Sequence, residues 1–583
     1  MPRGNGCHSL LRSSVVLGRA RGARIAGGLA AAAILAGSAT GPVQGAQPLA
    51  GAPDRVLQFL HVGPVNPTSH LAQVVDERGR EVLLKGVNAD GLVDYWQQPP
   101  TLPNPYSIQP SDYAGMTCPP DVPAVEGVPV CPWDLAQMRP MGFNVLRLNL
   151  SWSLAEPTPG NISSAYLDRV AQVVGWAAAQ GVYVVLDMHQ DAWSKHVYTH
   201  PGDTCPPGFN AIRGYDGAPA WAAAYTGPAC ALHGVRELDT AVDQGFNNFY
   251  TDVQASDGTG LQEHFVGVLK ALAARFKNNP AVAGYELMNE PSPAPAEPTD
   301  PQLINLWGKM VDAVVAATPG FRQLFFFEPS VLRDVVDASQ VLTPWTLASA
   351  YPNAVYAPHI YTGVFTLDQQ AAQQRLLPTN GGYQSSIRDA QNLGLPLWIG
   401  EFGNDPPDDN TIMRSSYQLQ DQYMLGGAYW LWKENANDIN ATLFWGIYGK
   451  PFDAPTRGVP QAGKIKFSGR AYPLATTGHL TQVTYDPDTT GFDIRAVSDA
   501  AVRAGDSAHA TLVFVPPAST CEVRAENAVL EVFDRGAGSR EAYAYPGAGA
   551  YRVFCGIVAG AAATVGPGGG SGSGPGSLPN TSR

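Results

Sequence analysis

The chain has 583 residues, room for more than one domain, and its 45% hydrophobic content is enough to fill a large core. Only 15% of residues are charged and the formal net charge is −13, with no cluster of Lys and Arg interleaved with aromatics. That balance argues against nucleic acid as a partner, because phosphate binding needs grouped cations.

Residues 1–46 read as a leader rather than as part of a fold. Arg3, Arg12, Arg19, Arg21 and Arg24 make a basic region without acidic residues, and an apolar run rich in small residues follows from Ile25 to about Ala39. This is the pattern of a bacterial export signal, too short and too rich in Ala and Gly for a membrane span. The mature protein is therefore expected to be secreted. Cys7 leaves with the signal, and six cysteines remain in sequence-local pairs: Cys118 with Cys131, Cys205 with Cys230, and Cys521 with Cys555. Export and an even count favour three local disulfides over a metal site, since no Cys-x-x-Cys occurs.

From about residue 80 to 435 strand and helix patterns alternate. Eight apolar runs read as strands: Glu81–Ala89, Asn144–Trp152, Tyr183–His189, Val282–Glu290, Leu324–Glu328, Val355–Tyr361, Leu397–Phe402 and Ala428–Lys433. Continuous rather than alternating apolar character suits parallel strands buried on both faces. Helices are predicted over Tyr166–Gln180, with Ser163 and Ser164 as caps, and over Leu261–Phe276 and Pro301–Ala317. Eight such units fit a (β/α)8 TIM barrel, an α/β fold whose chemistry sits at the C-terminal strand ends. Long loops follow the first strand (about 90–133) and the third (about 190–260). The second of these carries Trp193, Trp221, Phe246 and Phe249, candidates for contact with an apolar part of a ligand. Beyond residue 466 short β-rich pieces, Gly491–Val497, Ala510–Val515, Ala528–Phe533 and Tyr551–Val558, predict a small antiparallel β-sandwich reaching to about residue 563. The barrel domain would then cover 47–465, and the Gly/Ser/Pro-rich stretch from about residue 564 to Arg583 reads as a disordered tail.

Two carboxylates stand at predicted strand ends: Glu290, closing the fourth strand, and Glu401, in the seventh. Two carboxylates presented by different strand ends are what acid-catalysed glycoside cleavage requires. Arg147 on the second strand is a donor suited to keep one of them ionised. His189 and His359 at strand ends are candidate sugar contacts. Asn88 ends the first strand, where it can orient neighbours or touch sugar.

These residues resemble glycoside hydrolase family 5 over about residues 75–435. The resemblance rests on Asn289-Glu290-Pro291, Glu401, Arg147, His189, His359, Tyr361 and Trp432. Asp187-Met188-His189-Gln190-Asp191 and Arg470-Ala471-Tyr472-Pro473 resemble the endoglycoceramidase branch, whose members often carry Arg-Pro-Tyr-Pro at the second site. The resemblance implies Glu290 as general acid/base and Glu401 as nucleophile of a retaining mechanism. It further implies Asn289 on the sugar 2-hydroxyl, Tyr361 on the nucleophile, Asp191 on a sugar hydroxyl and Trp432 stacked on a pyranose face. No metal and no cofactor is called for. The implied substrate is a glycosphingolipid, cut between oligosaccharide and ceramide. Trp221 belongs to the lipid-side candidates, contact with a membrane or micelle surface is expected, and the protein should act as a monomer. A β-glucanase, an exo-acting glycosylceramidase and a non-enzymatic sugar- or lipid-binding protein stay open as alternatives.

Overall fold

The computed structural model describes residues 53, 55–93, 130–212, 214–232, 235–292, 300–339, 342–362, 381–403, 411–433, 445–449 and 458–556. The expected leader, Cys118 and the expected tail lie outside them.

After a hairpin of β1 (Leu60–Val65) and β2 (Ala72–Asp76), the eight anticipated strands follow in order. They are β3 (Lys85–Leu92), β4 (Val145–Ser151), β5 (Tyr183–His189), β8 (Val282–Glu286), β9 (Leu324–Phe327), β10 (Ala354–Tyr356), β11 (Trp398–Gly403) and β12 (Gly426–Trp430). The short pair β6 (Phe209–Ala211) and β7 (Cys230–Leu232) lies in the loop after β5. The eight form one parallel sheet in the order β10-β9-β8-β5-β4-β3-β12-β11. Parallel bridges Tyr356 to Leu397 and Ile360 to Phe402 close it into a barrel.

Alternation along each strand divides the molecule into layers. In β4, Leu146, Leu148 and Leu150 join the apolar core that includes Val170, Val173 and Val174 of the helix Ser164–Ala179. Arg147, on the other face, reaches side chains of β3, β8 and β11 and so crosses the barrel interior. The helix begins where expected, with Ser163 Oγ accepting the Tyr166 N–H at 3.3 Å. The helix Leu261–Phe276 matches its predicted span.

The C-terminal region is a sandwich of two four-stranded antiparallel sheets, richer in strands than the sequence pattern suggested. With β13 (Tyr448–Gly449) and β14 (Val459–Pro460) preceding it, the sandwich holds β15 (Tyr472–Ala475), β16 (His479–Tyr485), β17 (Phe492–Ser498), β18 (Thr511–Val515), β19 (Val523–Glu526), β20 (Ala528–Gly536), β21 (Ser539–Pro546) and β22 (Gly549–Cys555). The sheets run β15-β18-β21-β20 and β16-β17-β22-β19. Cys521 and Cys555 are disulfide-bonded, as are Cys205 and Cys230. Cys131 is also in a disulfide.

One apolar cluster joins barrel and sandwich. It combines Val145, Tyr183, Leu324 and Trp398, each the first residue of its barrel strand, with Tyr472, Leu474, Phe514 and Val515. Gly142 makes the contact possible. A Cβ there would sit 2.4 Å from the Phe514 ring, and the backbone has φ +87°. The sandwich therefore seals the end of the barrel opposite the C-terminal strand ends, so it does not border the carboxylates.

Candidate active site

Arg147 is the centre of the site. It is fully buried, and its guanidinium makes contacts in every direction its fork allows. Nη1 donates to Glu401 Oε1 at 2.6 Å and to Asn88 Oδ1 at 2.9 Å. Nε donates to Glu286 Oε2 at 2.6 Å, and Nη2 to Asn289 Oδ1 at 2.9 Å. Nη2 also lies 3.2 Å from Asp187 Oδ2 and 3.4 Å from Glu328 Oε1. Burial opposes the charge, but Asp187, Glu286 and Glu401 outweigh it and hold the guanidinium firmly protonated.

Glu401, near the end of β11, receives a second donor, the Tyr361 hydroxyl, at 2.7 Å on Oε2. Gly400 beside it leaves room for the His359 ring, since a Cβ there would stand 3.0 Å from that ring and 2.9 Å from Ala357 O. Glu290 sits beyond the end of β8 with φ +39°, a left-handed conformation that a side chain adopts at a cost of roughly 1–3 kcal/mol. Its neighbours hold it there. Its N–H donates to Glu328 Oε2 at 3.2 Å, and Gln190 Nε2 donates to the carbonyls of Asn289 and Glu290 at 2.8 and 2.9 Å. His359 Nδ1 lies 2.8 Å from Glu290 Oε1 and 3.5 Å from Glu401 Oε2, so one imidazole nitrogen stands between the two carboxylates. Ligand-type atoms of Glu290, His359 and Glu401 all fall within 4.8 Å of one another.

Burial dominates the electrostatics. It pushes Glu290 up to about 7, with Asp191 adding to the rise and Arg236, His189 and Arg147 opposing it. It pushes Glu401 up to about 8, opposed by Arg147 and by the Tyr361 hydrogen bond, and reinforced by Glu290. It holds His359 well below the usual imidazole range, helped by Arg147, so that ring is neutral. Glu328 is pushed well up by burial and by Glu286. His189 is the reverse case. Burial again disfavours its charge, but Asp187 Oδ2 at 2.7 Å and Asp191 Oδ2 at 3.6 Å raise it to about 10. The resulting imidazolium lies flat against Trp430, with centroids 5.5 Å apart and planes 13° from parallel.

The structure thus brings together Arg147, Asn88, His189, Asp191, Asn289, Glu290, His359, Tyr361 and Glu401. Asn88 works on neighbours rather than facing a ligand. It is fully buried, accepts from Arg147 and donates to the carbonyls of Gly400 and Ala428, both at 3.1 Å. Two expectations are corrected. Trp432 is core, packed against Phe143 and Tyr448 with its indole N–H on Asp134 at 2.9 Å. The strand-end tryptophan beside the cluster is Trp430, two residues earlier. Trp221, half-buried, packs edge-on to Trp152 and donates to Glu156 O at 3.1 Å, while Trp193, Phe246 and Phe249 are fully buried, so these aromatics build or cover core beneath the loop. Sequence reasoning missed Glu286, Glu328, Gln190, Arg236 and Trp430. Glu328 could have been found, since it closes a predicted strand as Glu290 does. Among the described residues, two groups could hold a cation, Glu286-Glu328-His359 and Glu290-His359-Glu401.

A model of the family described as cellulase, glycosyl hydrolase family 5, matches residues 134–436, more than half of the chain. The chain belongs to glycosyl hydrolase family 5. Within that family it falls in the endoglycoceramidase branch. It is 28% identical over 470 residues to endoglycoceramidase I of Rhodococcus hoagii, covering 76% of this chain and 80% of the relative. It is 25% identical over 491 residues to an endoglycoceramidase of Cyanea nozakii, covering 76% and 83%. Among solved structures it resembles an endogalactoceramidase, with a TM-score of 0.69 and 30% identity over 86% of this chain and all of that one. This family 5 member is therefore a glycosidase, and its carboxylate cluster stands where a TIM barrel keeps its chemistry.

Proposed function

We propose that this glycosidase hydrolyses the β-glycosidic bond between oligosaccharide and ceramide in glycosphingolipids, with retention of configuration, outside the cell. The observation that carries the mechanism is the unequal setting of two close carboxylates. Glu401 has a guanidinium at 2.6 Å and a phenol at 2.7 Å, both donors, whereas the nearest side-chain partner of Glu290 is the neutral imidazole of His359. With all neighbours acting, Glu401 is raised to about 8 and Glu290 to about 7, and part of the Glu401 rise comes from the Glu290 charge, which vanishes once Glu290 holds the proton. The donors decide the matter when the pair shares one proton, because they serve a carboxylate better than a carboxylic acid. The proton then rests on Glu290 and Glu401 is the anion.

In the first step a Glu401 oxygen attacks the anomeric carbon while Glu290 gives its proton to the departing glycosidic oxygen, releasing ceramide. In the second, Glu290 takes a proton from water, the water oxygen attacks the anomeric carbon, and Glu401 departs as carboxylate. Nearest carboxylate oxygens within 4.8 Å favour direct attack over an inverting mechanism, whose carboxyl groups stand about 6.5–9.5 Å apart to admit water. Asn289, His189 and Asp191 line the sugar side. For the lipid, exposed apolar side chains stand on loops leaving the same strand ends: Val235 and Leu238 after β5, Leu332 and Val336 after β9. Export is supported by the disulfides Cys205–Cys230 and Cys521–Cys555, which suit an oxidising compartment.

The test is digestion of a ganglioside, a globoside and galactosylceramide in detergent beside a soluble β-glucan. Release of intact oligosaccharide and ceramide, with the β-anomer first by NMR, is expected. Glucan shortening alone would transfer the reading to a β-glucanase, and an α-anomer would end the retaining assignment. Glu401→Gln should abolish turnover.

A further inference from the structure

An alternating chain of charge runs from the loop after β5 to Glu401. Arg236 Nη2 lies 2.8 Å from Asp191 Oδ1, and Asp191 Oδ2 lies 3.6 Å from His189 Nε2. His189 Nδ1 lies 2.7 Å from Asp187 Oδ2, Asp187 lies 3.2 Å from Arg147, and Arg147 lies 2.6 Å from Glu401. Every member except Arg236 comes from a barrel strand or the residues directly after one. Arg236 comes from far along the loop, four residues past β7, whose first residue Cys230 is bonded to Cys205. Its guanidinium is held on three sides, by Asp191, by Glu237 Oε1 at 2.5 Å, and by the Tyr215 ring 4.6 Å from its centre.

We propose that Arg236 is a positioning residue for the acid/base carboxylate: by pairing with Asp191 it sets the charge that Glu290 meets from the β5 side. The proposal rests on the assignment of Glu290 as acid/base. Without Arg236, Asp191 would keep the His189 imidazolium, at 3.6 Å, as a cationic partner but would face Glu290 with less of its charge balanced. Other groups also face Glu290. From β4 and β5 come Arg147 and His189, which favour its ionised form. On the opposite side His359 is neutral, and Glu328 accepts the Glu290 N–H. Glu401, Tyr361 and Asp334 each interact electrostatically with Glu290 from β11 and the segments after β10 and β9. None of these side chains touches Arg236 directly, so each keeps its own contact with Glu290 when Arg236 alone is replaced.

The sign follows. Arg236 lowers and Asp191 raises the proton affinity of Glu290. Removing Arg236 should let Glu290 keep its proton to higher pH, and neutralising Asp191 should make it lose the proton at lower pH. The experiment is the pH profile of kcat/KM for whichever 4-methylumbelliferyl β-glycoside, lactoside or galactoside, the parent turns over. Arg236→Gln should move the alkaline limb up by about one pH unit, Asp191→Asn should move it down, and Arg236→Lys should leave it near the parent. A merely structural role would lower activity without moving the limb. Limbs that stay put in folded Arg236→Gln, or in Asp191→Asn should Arg236→Gln not fold, overturn the proposal. Glu290→Gln separates the two readings. If its residual activity keeps the alkaline limb, the assignment of Glu290 is wrong. If the limb vanishes there but stays put in the other variants, only the role of Arg236 is wrong.

Discussion

Glu290 and Glu401 face each other across His359 Nδ1, and their surroundings make them unequal. Because the Glu290 charge raises Glu401, Glu290→Gln should ionise Glu401 at lower pH. The acid limb for a 2,4-dinitrophenyl glycoside, which needs little acid assistance, should then move down. On lipid substrates the same variant should lose about 10²–10⁴-fold, the usual contribution of general acid–base catalysis. Tyr361→Phe acts with the opposite sign. It removes a donor that favours the Glu401 carboxylate, so the nucleophile ionises later and the acid limb should move up, with kcat/KM falling by about 10- to 100-fold for a lost hydrogen bond to a charged group. Stopped-assay pH profiles of both variants check the two directions at once. Both glutamates were readable in the sequence because each stands at the end of a buried apolar run, where a carboxylate is costly unless it is partnered. Trp432 was misassigned because Trp430-Leu431-Trp432 offers two indoles on the same strand face, and only packing shows that Asp134 claims the second.

At the scale of elements, the loop after β5 carries more of the site than its sequence suggests. Residues 190–260 supply Gln190, which braces the Asn289–Glu290 turn, and Arg236, which braces Asp191. The Cys205–Cys230 disulfide closes 25 residues of it. Replacing both cysteines with Ser should cost about 3 kcal/mol by relaxing the constraint on the unfolded chain. The measurement is a lower urea midpoint, with a slope that rises because the unfolded chain without the cross-link exposes more surface. The loop's aromatic residues could not be assigned from sequence, because Trp193, Phe246 and Phe249 read alike whether they face a lipid or one another. In the structure Trp193 and Phe246 pack with ring centroids 4.9 Å apart, and Trp193 and Phe249 at 5.7 Å, away from solvent.

The whole molecule is held together at the end of the barrel away from the carboxylates. Phe514 of the sandwich sits over Gly142, and the Tyr472 hydroxyl donates to Gly142 O at 2.5 Å. Phe514→Ala should cost about 3–5 kcal/mol, as for a large buried aromatic. Barrel and sandwich should still melt together, because they share one core. Calorimetry resolving two separate transitions in the parent would contradict that coupling. The sandwich then serves as a base for the barrel; in the proposed function, contact with a lipid substrate falls to the loops at the opposite end.

Eight buried apolar runs, two strand-ending glutamates and the spacing of the cysteines are local patterns, and they carry the barrel, the carboxylate pair and two of the disulfides found in the described residues. Tertiary structure alone decided which charges meet. Arg147 gathers groups from five other strands or their ends, Arg236 meets Asp191 across 45 residues, and Trp430 rather than Trp432 lies against His189. The reason is physical. Burial in a strand depends on a residue's own segment, whereas the partner of a buried charge depends on the closure of the barrel, which no single segment contains.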